Sequence, residues 1–418
     1  MEKQVFNTRL WIKIALINFC VVALAGVTLR YKINFPLPAL NQKYLLHAHS
    51  HFAFVGFVTL ALMALMVRYL LLNGVVTNYR KYHWVLMANC ITAYAMIVSF
   101  TLEGYAAFSI TFSTLSILVS YFFIGYMWSD LGRVPEKTHI GRWFRAALIL
   151  WAISSLGAFS LAYLMANQIM IQDLYFSAIY FFLHFQYNGW FLFVCFGLFF
   201  SWLQRHGAQP AIAVSRQLFL IMAITVGPSY LLSIIWLKLP TALIWIGNIS
   251  GILQLLVLFY FIRLLPPART ALRLRKVGVT RLLWILVAVA FILKIVLQLL
   301  SIFPYLGQFA FGYRPVIIGY LHLSFLGVIS FFIVGYINQW LIASGGHGLS
   351  RAGVIIFIAG VLLQEIVLML QGLEALEVQT IRQAPLILFG TAVIILLGLL
   401  MIAVNSLPKL APGNQEPA

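Results

Sequence analysis

Acidic residues are scarce in this chain: nine Asp and Glu stand against 27 Lys and Arg in 418 residues. Charged residues of both signs together make up only 9%. So little charge cannot solvate the surface of a water-soluble protein of this length. Cysteine is nearly absent too. Cys20, Cys90 and Cys195 each lie inside an apolar segment, and no CxxC motif occurs. This argues against a disulfide framework and against sulfur ligation of a metal cluster. The first apolar stretch, Trp11 to Leu29, lacks a small-residue cleavage site and is as long as a membrane span, so it reads as a span rather than a signal peptide.

What fills the chain is hydrocarbon. Hydrophobic residues reach 63% and the mean hydropathy is +0.99. Apolar runs of about 20 residues, enough to cross a bilayer as helices, recur throughout. Twelve spans are predicted at about 10–29, 46–72, 83–103, 106–128, 146–165, 174–203, 216–237, 242–263, 282–303, 315–341, 353–373 and 385–405. Connections are short, so residues 1–418 read as a single polytopic membrane domain.

A net charge of +18 would suggest nucleic acid in a soluble protein. Here the basic residues cluster in short loops, as membrane topology requires, and no nucleic-acid partner is implied. Arg80 and Lys81 follow span two; Arg133, Lys137, Arg142 and Arg145 follow span four. Arg205 and Arg216 follow span six; Arg263, Arg269, Arg273, Arg275, Lys276 and Arg281 follow span eight. Most odd loops carry one such charge or none, the first loop with Arg30, Lys32 and Lys43 being the exception. Both termini are therefore expected in the cytoplasm.

Three histidines each precede a glycine by five residues: His51 and Gly56, His184 and Gly189, His322 and Gly327. They recur at intervals close to one third of the chain, which suggests one supersecondary unit used three times. The pseudo-repeats run over about 1–145, 146–281 and 282–418. The predicted fold is all-α and integral to the membrane, with about 12 helices in three four-helix arcs. Spans two, six and ten all run inward from the outer face, which puts His47, His51, His184 and His322 at one depth in the outer half of the bilayer. A glycine beside each histidine lets a helix neighbour, or a flat macrocycle, approach closely.

An imidazole in hydrocarbon needs a partner, and a metal is a common functional one. Span two opens with His47, His49 and His51. Four-residue spacing puts His47 and His51 on one helix face, with His49 on the other side. One of the pair could ligate a heme while the other binds a second metal or a propionate; a polar interfacial cap is the alternative. In span six, His184, Tyr187 and Asn188 form a polar cluster that is either a hydrogen-bonded network or a metal site. In span ten, His322 follows Tyr320 and Ser324 follows it. Lys294 in span nine and Glu365 in span eleven are charges at membrane depth, suited to a proton path or to pairing with another buried group.

These motifs resemble the catalytic subunit of the heme-copper oxidase superfamily, nearest to its C-type oxidase and nitric oxide reductase branches. Members of that superfamily place histidines on spans two, six and ten of a 12-span, three-arc fold. His47-Ala-His-Ser-His-Phe-Ala-Phe-Val-Gly56 is similar to the low-spin heme motif, and His322-Leu-Ser-Phe-Leu-Gly327 to the motif for the second axial ligand. His184 matches the non-heme metal ligand, with Asn188 where the nitric oxide reductases carry glutamate. The resemblance implies a low-spin b-type heme held by His322 and by His47 or His51, with Gly56 and Gly327 beside it. It also implies a second metal, copper or iron, near His184; His49, His51 and His184 could instead form a different metal site. Two family positions differ: span seven carries Gly227-Pro228-Ser229 in place of a histidine pair, and Tyr320 stands where a high-spin heme ligand belongs. No CxxCH motif occurs, which excludes covalent heme on this chain.

The expected function is electron transfer, or the reduction or handling of a small gas, NO or O2, in a bacterial or archaeal cytoplasmic membrane. A cytochrome c-type or quinol donor, partner subunits and membrane lipid are the expected partners. Two alternatives stand beside it: a histidine-dependent transporter or metal permease, and a cofactor-free relative that serves assembly or sensing. Transporter repeats show helices broken at Gly or Pro, and Gly227-Pro228 is the candidate here.

Overall fold

Inside a bilayer no water is present to pair exposed backbone groups, so an apolar chain of this kind closes its hydrogen bonds within helices. The computed structural model describes residues 6–134, 139–273, 278–377 and 381–406. Lys137, Arg275 and Lys276 of the basic loops, and the extreme ends of the domain, lie outside the described residues. No strand occurs among the described residues, and 11 of their helices are long and apolar enough to cross a membrane. The protein is an all-α integral membrane protein.

Spans one to six are α1 (Thr8–Asn34), α2 (Gln42–Leu72), α3 (Arg80–Glu103), α4 (Ala107–Leu131), α5 (Ile140–Ala166) and α6 (Gln172–Arg205). Span seven departs from the sequence expectation of one helix over 216–237. It is split into α7 (Gln209–Thr225) and the single turn α8 (Tyr230–Ser233). Pro228 offers no N–H to the preceding turn and disfavours helical backbone at Gly227, which explains the break. Spans eight and nine are α9 (Thr241–Leu272) and α10 (Val279–Leu300). A short helix, α11 (Pro304–Gly312), precedes span ten. Spans ten to twelve are α12 (Arg314–Ala343), α13 (Arg351–Glu374) and α14 (Ala384–Ser406).

The helices group into two compact units, one of residues 1–135 and 330–418, the other of residues 136–329. In the first unit α1 packs along α14, and α14 along α13. Small residues allow that last contact: a methyl group on Gly398 would overlap the Phe357 backbone, and one on Gly353 would sit 3.0 Å from the Gly398 carbonyl. Phe19 and Phe57 stack between α1 and α2 with centroids 3.8 Å apart. In the second unit α5 packs on α6 through Gly157, where a Cβ would lie 2.6 Å from the Ala178 carbonyl. The Trp151 and Trp190 rings stack at 4.1 Å in the same contact.

Candidate functional site

Each histidine of the repeat is followed by a π-helical turn. The three turns are Ala53–Thr59, Phe185–Phe191 and Leu323–Ser330, and each begins one or two residues after His51, His184 or His322. Each also contains the repeat glycine. A π turn inserts an extra residue into the hydrogen-bond ladder, is rare, and is frequent at functional sites. It also leaves carbonyls that need outside donors. In α2 two buried asparagines supply them. Asn18 of α1 donates its amide to the Gly56 carbonyl at 2.7 Å, and Asn89 of α3 donates to the Val55 carbonyl at 3.0 Å. Tyr94 completes the set by donating its hydroxyl to Asn18 Oδ1 at 2.7 Å.

Immediately before that turn in the chain lie the span-two histidines. His47 and His51 face the same aromatic group on α3 and the loop after it, as their spacing requires. The His51 ring stacks on Phe100 with centroids 4.4 Å apart and planes 8° from parallel. Its Nε2 is hydrogen-bonded with the Tyr105 hydroxyl at 3.1 Å. The His47 ring meets Tyr105 edge-on at 4.6 Å, and its Nε2 is buried with no hydrogen-bond partner among the described residues. His49 turns the other way, to α1, with Nδ1 at 3.1 Å from the Val22 carbonyl. Gly26 gives it room, since a Cβ there would touch the imidazole at 3.4 Å.

Tyr105 reaches the histidines because the chain reverses sharply after α3. Gly104 takes φ +67, a left-handed backbone that glycine adopts without strain. The Ser109 hydroxyl donates to the Gly104 carbonyl at 2.6 Å, and Ser109 N–H donates to Glu103 Oε1 at 2.8 Å. Burial pushes the Tyr105 phenol up to about 12, so its hydroxyl keeps its proton at neutral pH.

The second unit holds the other polar cluster. His184 is 1% exposed. Its Nε2 lies 2.7 Å from the Val226 carbonyl. Because a carbonyl only accepts, Nε2 carries the proton and Nδ1 keeps a lone pair. Asn188 donates to that Nδ1 at 3.1 Å. The break in span seven makes this possible. In a continuous helix the Tyr230 N–H would bond to the Val226 carbonyl; here it bonds to Gly227, at 3.1 Å. The Val226 carbonyl is left for His184 and for the Ser229 hydroxyl, which donates to it at 3.2 Å.

Lys294 lies beside this cluster, 3% exposed. Its ammonium donates to Gln298 Oε1 at 3.4 Å and sits 5.8 Å from the ring centres of both Tyr187 and Tyr320. Those two rings meet edge-on, with centroids 6.2 Å apart. A buried cation held by ring faces and an amide is an arrangement that hydrocarbon tolerates. A cavity of about 20 Å³, room for one water, adjoins Lys294 and is lined by Asn188, Thr225, Val226, Ser229 and Gln254.

The structure therefore joins His47 with His51, and His184 with Asn188, while Tyr187, Tyr320 and Lys294 form one group. His322 is half-buried at the start of its π turn. Glu365 on α13 has a buried Oε1 with no hydrogen-bond partner among the described residues. The near neighbours of the repeat glycines are protein side chains. A Cβ on Gly56 would meet the Phe52 ring at 2.9 Å, and one on Gly327 the Ala290 methyl at 3.1 Å. Among the described residues no group of three His, Cys, Asp or Glu comes together to hold a metal. Tyr105, Phe100, Asn18, Asn89 and the Val226 carbonyl were not singled out from sequence. The two asparagines carry a visible signal, an amide inside an apolar span that needs a partner. No protein-family model matches the chain, and no curated protein matches it.

Proposed function

We propose that this chain is a heme-binding membrane protein of the oxidase-subunit type, which transfers electrons or handles a small gas such as NO or O2. The observation that supports it best is the His47 Nε2, a buried imidazole nitrogen with no hydrogen-bond partner among the described residues. Burying such a group unpaired costs about 1–3 kcal/mol. The cost is offset if the nitrogen ligates iron. His51 is less suited, because its Nε2 is engaged with Tyr105. His47 is accordingly the axial ligand on span two, and His322 enters the proposal from the family resemblance alone. A bis-imidazole heme, when bound, supplies one-electron transfer. The remaining residues orient: Phe100 and Tyr105 fix the imidazoles, and Asn18 and Asn89 fix the π turn beneath them. His184 does not fit the second metal expected from sequence. Its Nδ1 already accepts from Asn188 and its Nε2 faces a carbonyl. No step is assigned to such a metal, and the electron donor, partner subunits and inner-membrane location remain those the resemblance implies.

A dithionite-reduced minus oxidised spectrum with heme extraction tests this. Wild type and His51→Ala should show a b-type alpha band, and His47→Ala and His322→Ala should lose it. A flat wild-type spectrum, from protein made with ample heme, would refute the proposal.

One observation favours the second reading, a histidine-dependent transporter. Span seven is broken, and the Val226 carbonyl it releases to His184 and Ser229, with the Lys294 cavity, forms a polar site at membrane depth. Substrate uptake into proteoliposomes by heme-free protein would select that reading.

A further inference from the structure

The loop after span two and the ends of α3 and α4 form a second site, apart from the histidines. A groove of about 460 Å³ runs between α3 and α4. Its mouth carries Asn78, Arg80 and Lys81, and its length is lined by Trp84, Val85, Ala88, Val119, Phe122 and Tyr126. Two of the lining rings stand open to the surroundings, Trp84 at 55% exposure and Phe122 at 61%. Polar residues and a cation are thus gathered at one end, with apolar and aromatic side chains beyond. That order matches a lipid at the boundary between headgroup and hydrocarbon.

The charge balance at the mouth selects the headgroup. Asp130 is fully buried and is the carboxylate of this corner among the described residues. Lys81 Nζ lies 2.6 Å from its Oδ2, and Arg133 lies 3.3 Å from its Oδ1. The Tyr82 hydroxyl donates to Asp130 at 2.7 Å and that of Thr77 at 3.0 Å. Among the described residues Lys81 and Arg133 therefore share one carboxylate, and Arg80 adds a third positive charge at the mouth. Arg80 is exposed and has no ion pair among the described residues, while the Asn78 Oδ1 accepts from its backbone N–H at 3.1 Å. Lys81 is held in place by Asp130 and by the rings of Tyr82 and Tyr126, each 5.2 Å from its ammonium. The Asp130 cluster thus builds a rigid rim, and Arg80 is the arm left to take an anion.

We infer that the groove between α3 and α4 is a binding site for an anionic phospholipid, its phosphate held by Arg80 and Asn78 and one acyl chain lying along Trp84, Ala88 and Phe122. Zwitterionic lipid would fit the apolar part but would present a choline to a corner with surplus positive charge.

The test uses the full chain in detergent micelles, with dioleoylphosphatidylglycerol and dioleoylphosphatidylcholine offered in competition and bound lipid counted by native mass spectrometry. The anionic lipid should be retained about fivefold over the zwitterionic one. Arg80→Gln should remove that preference, and Ala88→Trp, which fills the groove, should remove retention of both. Arg80 is exposed, so its replacement leaves folding intact. Quenching by dibrominated acyl chains, read as the difference between wild type and Trp84→Phe, reports the same groove without altering a charge. Equal retention of the two lipids by wild type, or a preference unchanged in Arg80→Gln, overturns the inference. So does displacement of phosphatidylglycerol by inorganic phosphate, which would make the mouth a free-anion site.

Discussion

Replacing His47 and His51 by phenylalanine, one at a time, should change stability with opposite signs. The His47 ring packs edge-on against Tyr105 at 4.6 Å, but its buried Nε2 has no hydrogen-bond partner among the described residues. Phenylalanine keeps the ring contact and removes the nitrogen, so His47→Phe should stabilise heme-free protein by about 1 kcal/mol, the lower end of the cost of an unsatisfied buried group. His51→Phe keeps the stack on Phe100 but loses the 3.1 Å bond with the Tyr105 hydroxyl. Side-chain hydrogen bonds between helices in membranes contribute about 0.6 kcal/mol on average and about 1.7 at most. The second variant should therefore be destabilised by about 1 kcal/mol. The difference between the two, about 2 kcal/mol, is about thirtyfold in the unfolding equilibrium. Unfolding by SDS in mixed micelles, followed by tryptophan fluorescence on protein made without heme, measures it. Equal destabilisation by both substitutions would mean that His47 has a structural partner, and the case for it as the axial ligand would fall.

Three further outcomes are expected. Asn18→Leu leaves the Gly56 carbonyl without its donor, so it should cost about 1 kcal/mol and speed hydrogen exchange across Ala53–Thr59; unchanged exchange there would mean the π turn holds itself. Pro228→Ala restores an N–H to the broken span, lengthens α7 and draws the Val226 carbonyl away from His184; the His184 ring nitrogens should then shift in ¹⁵N spectra, and unshifted resonances would deny the coupling. Gly157→Ala places a methyl 2.6 Å from the Ala178 carbonyl, whereas Gly125→Ala meets nothing within 4 Å; the first should lose about 1–3 kcal/mol and the second nothing, and equal effects in the same unfolding assay would refute the packing argument.

Much of the architecture was legible in the sequence because bilayer thickness dictates the length of each apolar run. The placement of His47 and His51 on one face, with His49 opposed, followed from helical spacing alone. The break at Gly227-Pro228 was readable as a weak point, but not the use made of it. Composition gives no hint that the Val226 carbonyl, released by Pro228, would become the partner of His184 from another helix. The choice between His47 and His51 was equally hidden, because it turns on Tyr105, which arrives through the left-handed turn at Gly104. Such partners are set by tertiary packing, and periodicity records only which face a residue occupies. The π turns were invisible for a related reason: a widened turn differs from a regular one in how its carbonyls are shared, and the same residue types serve both.

Those three turns also act on the helices that contain them. One surplus residue advances the rest of a helix by about 100° around its axis. In spans two, six and ten the stretch before the turn, with its histidine, and the stretch after it are thus out of phase, each with its own orientation. The later stretch of α6, Leu192–Arg205, can commit nearly every side chain to packing without dictating where His184 points. Substitutions that refine one stretch for its neighbours leave the angular setting of the other intact, so scaffold and histidine can change independently along one continuous rod.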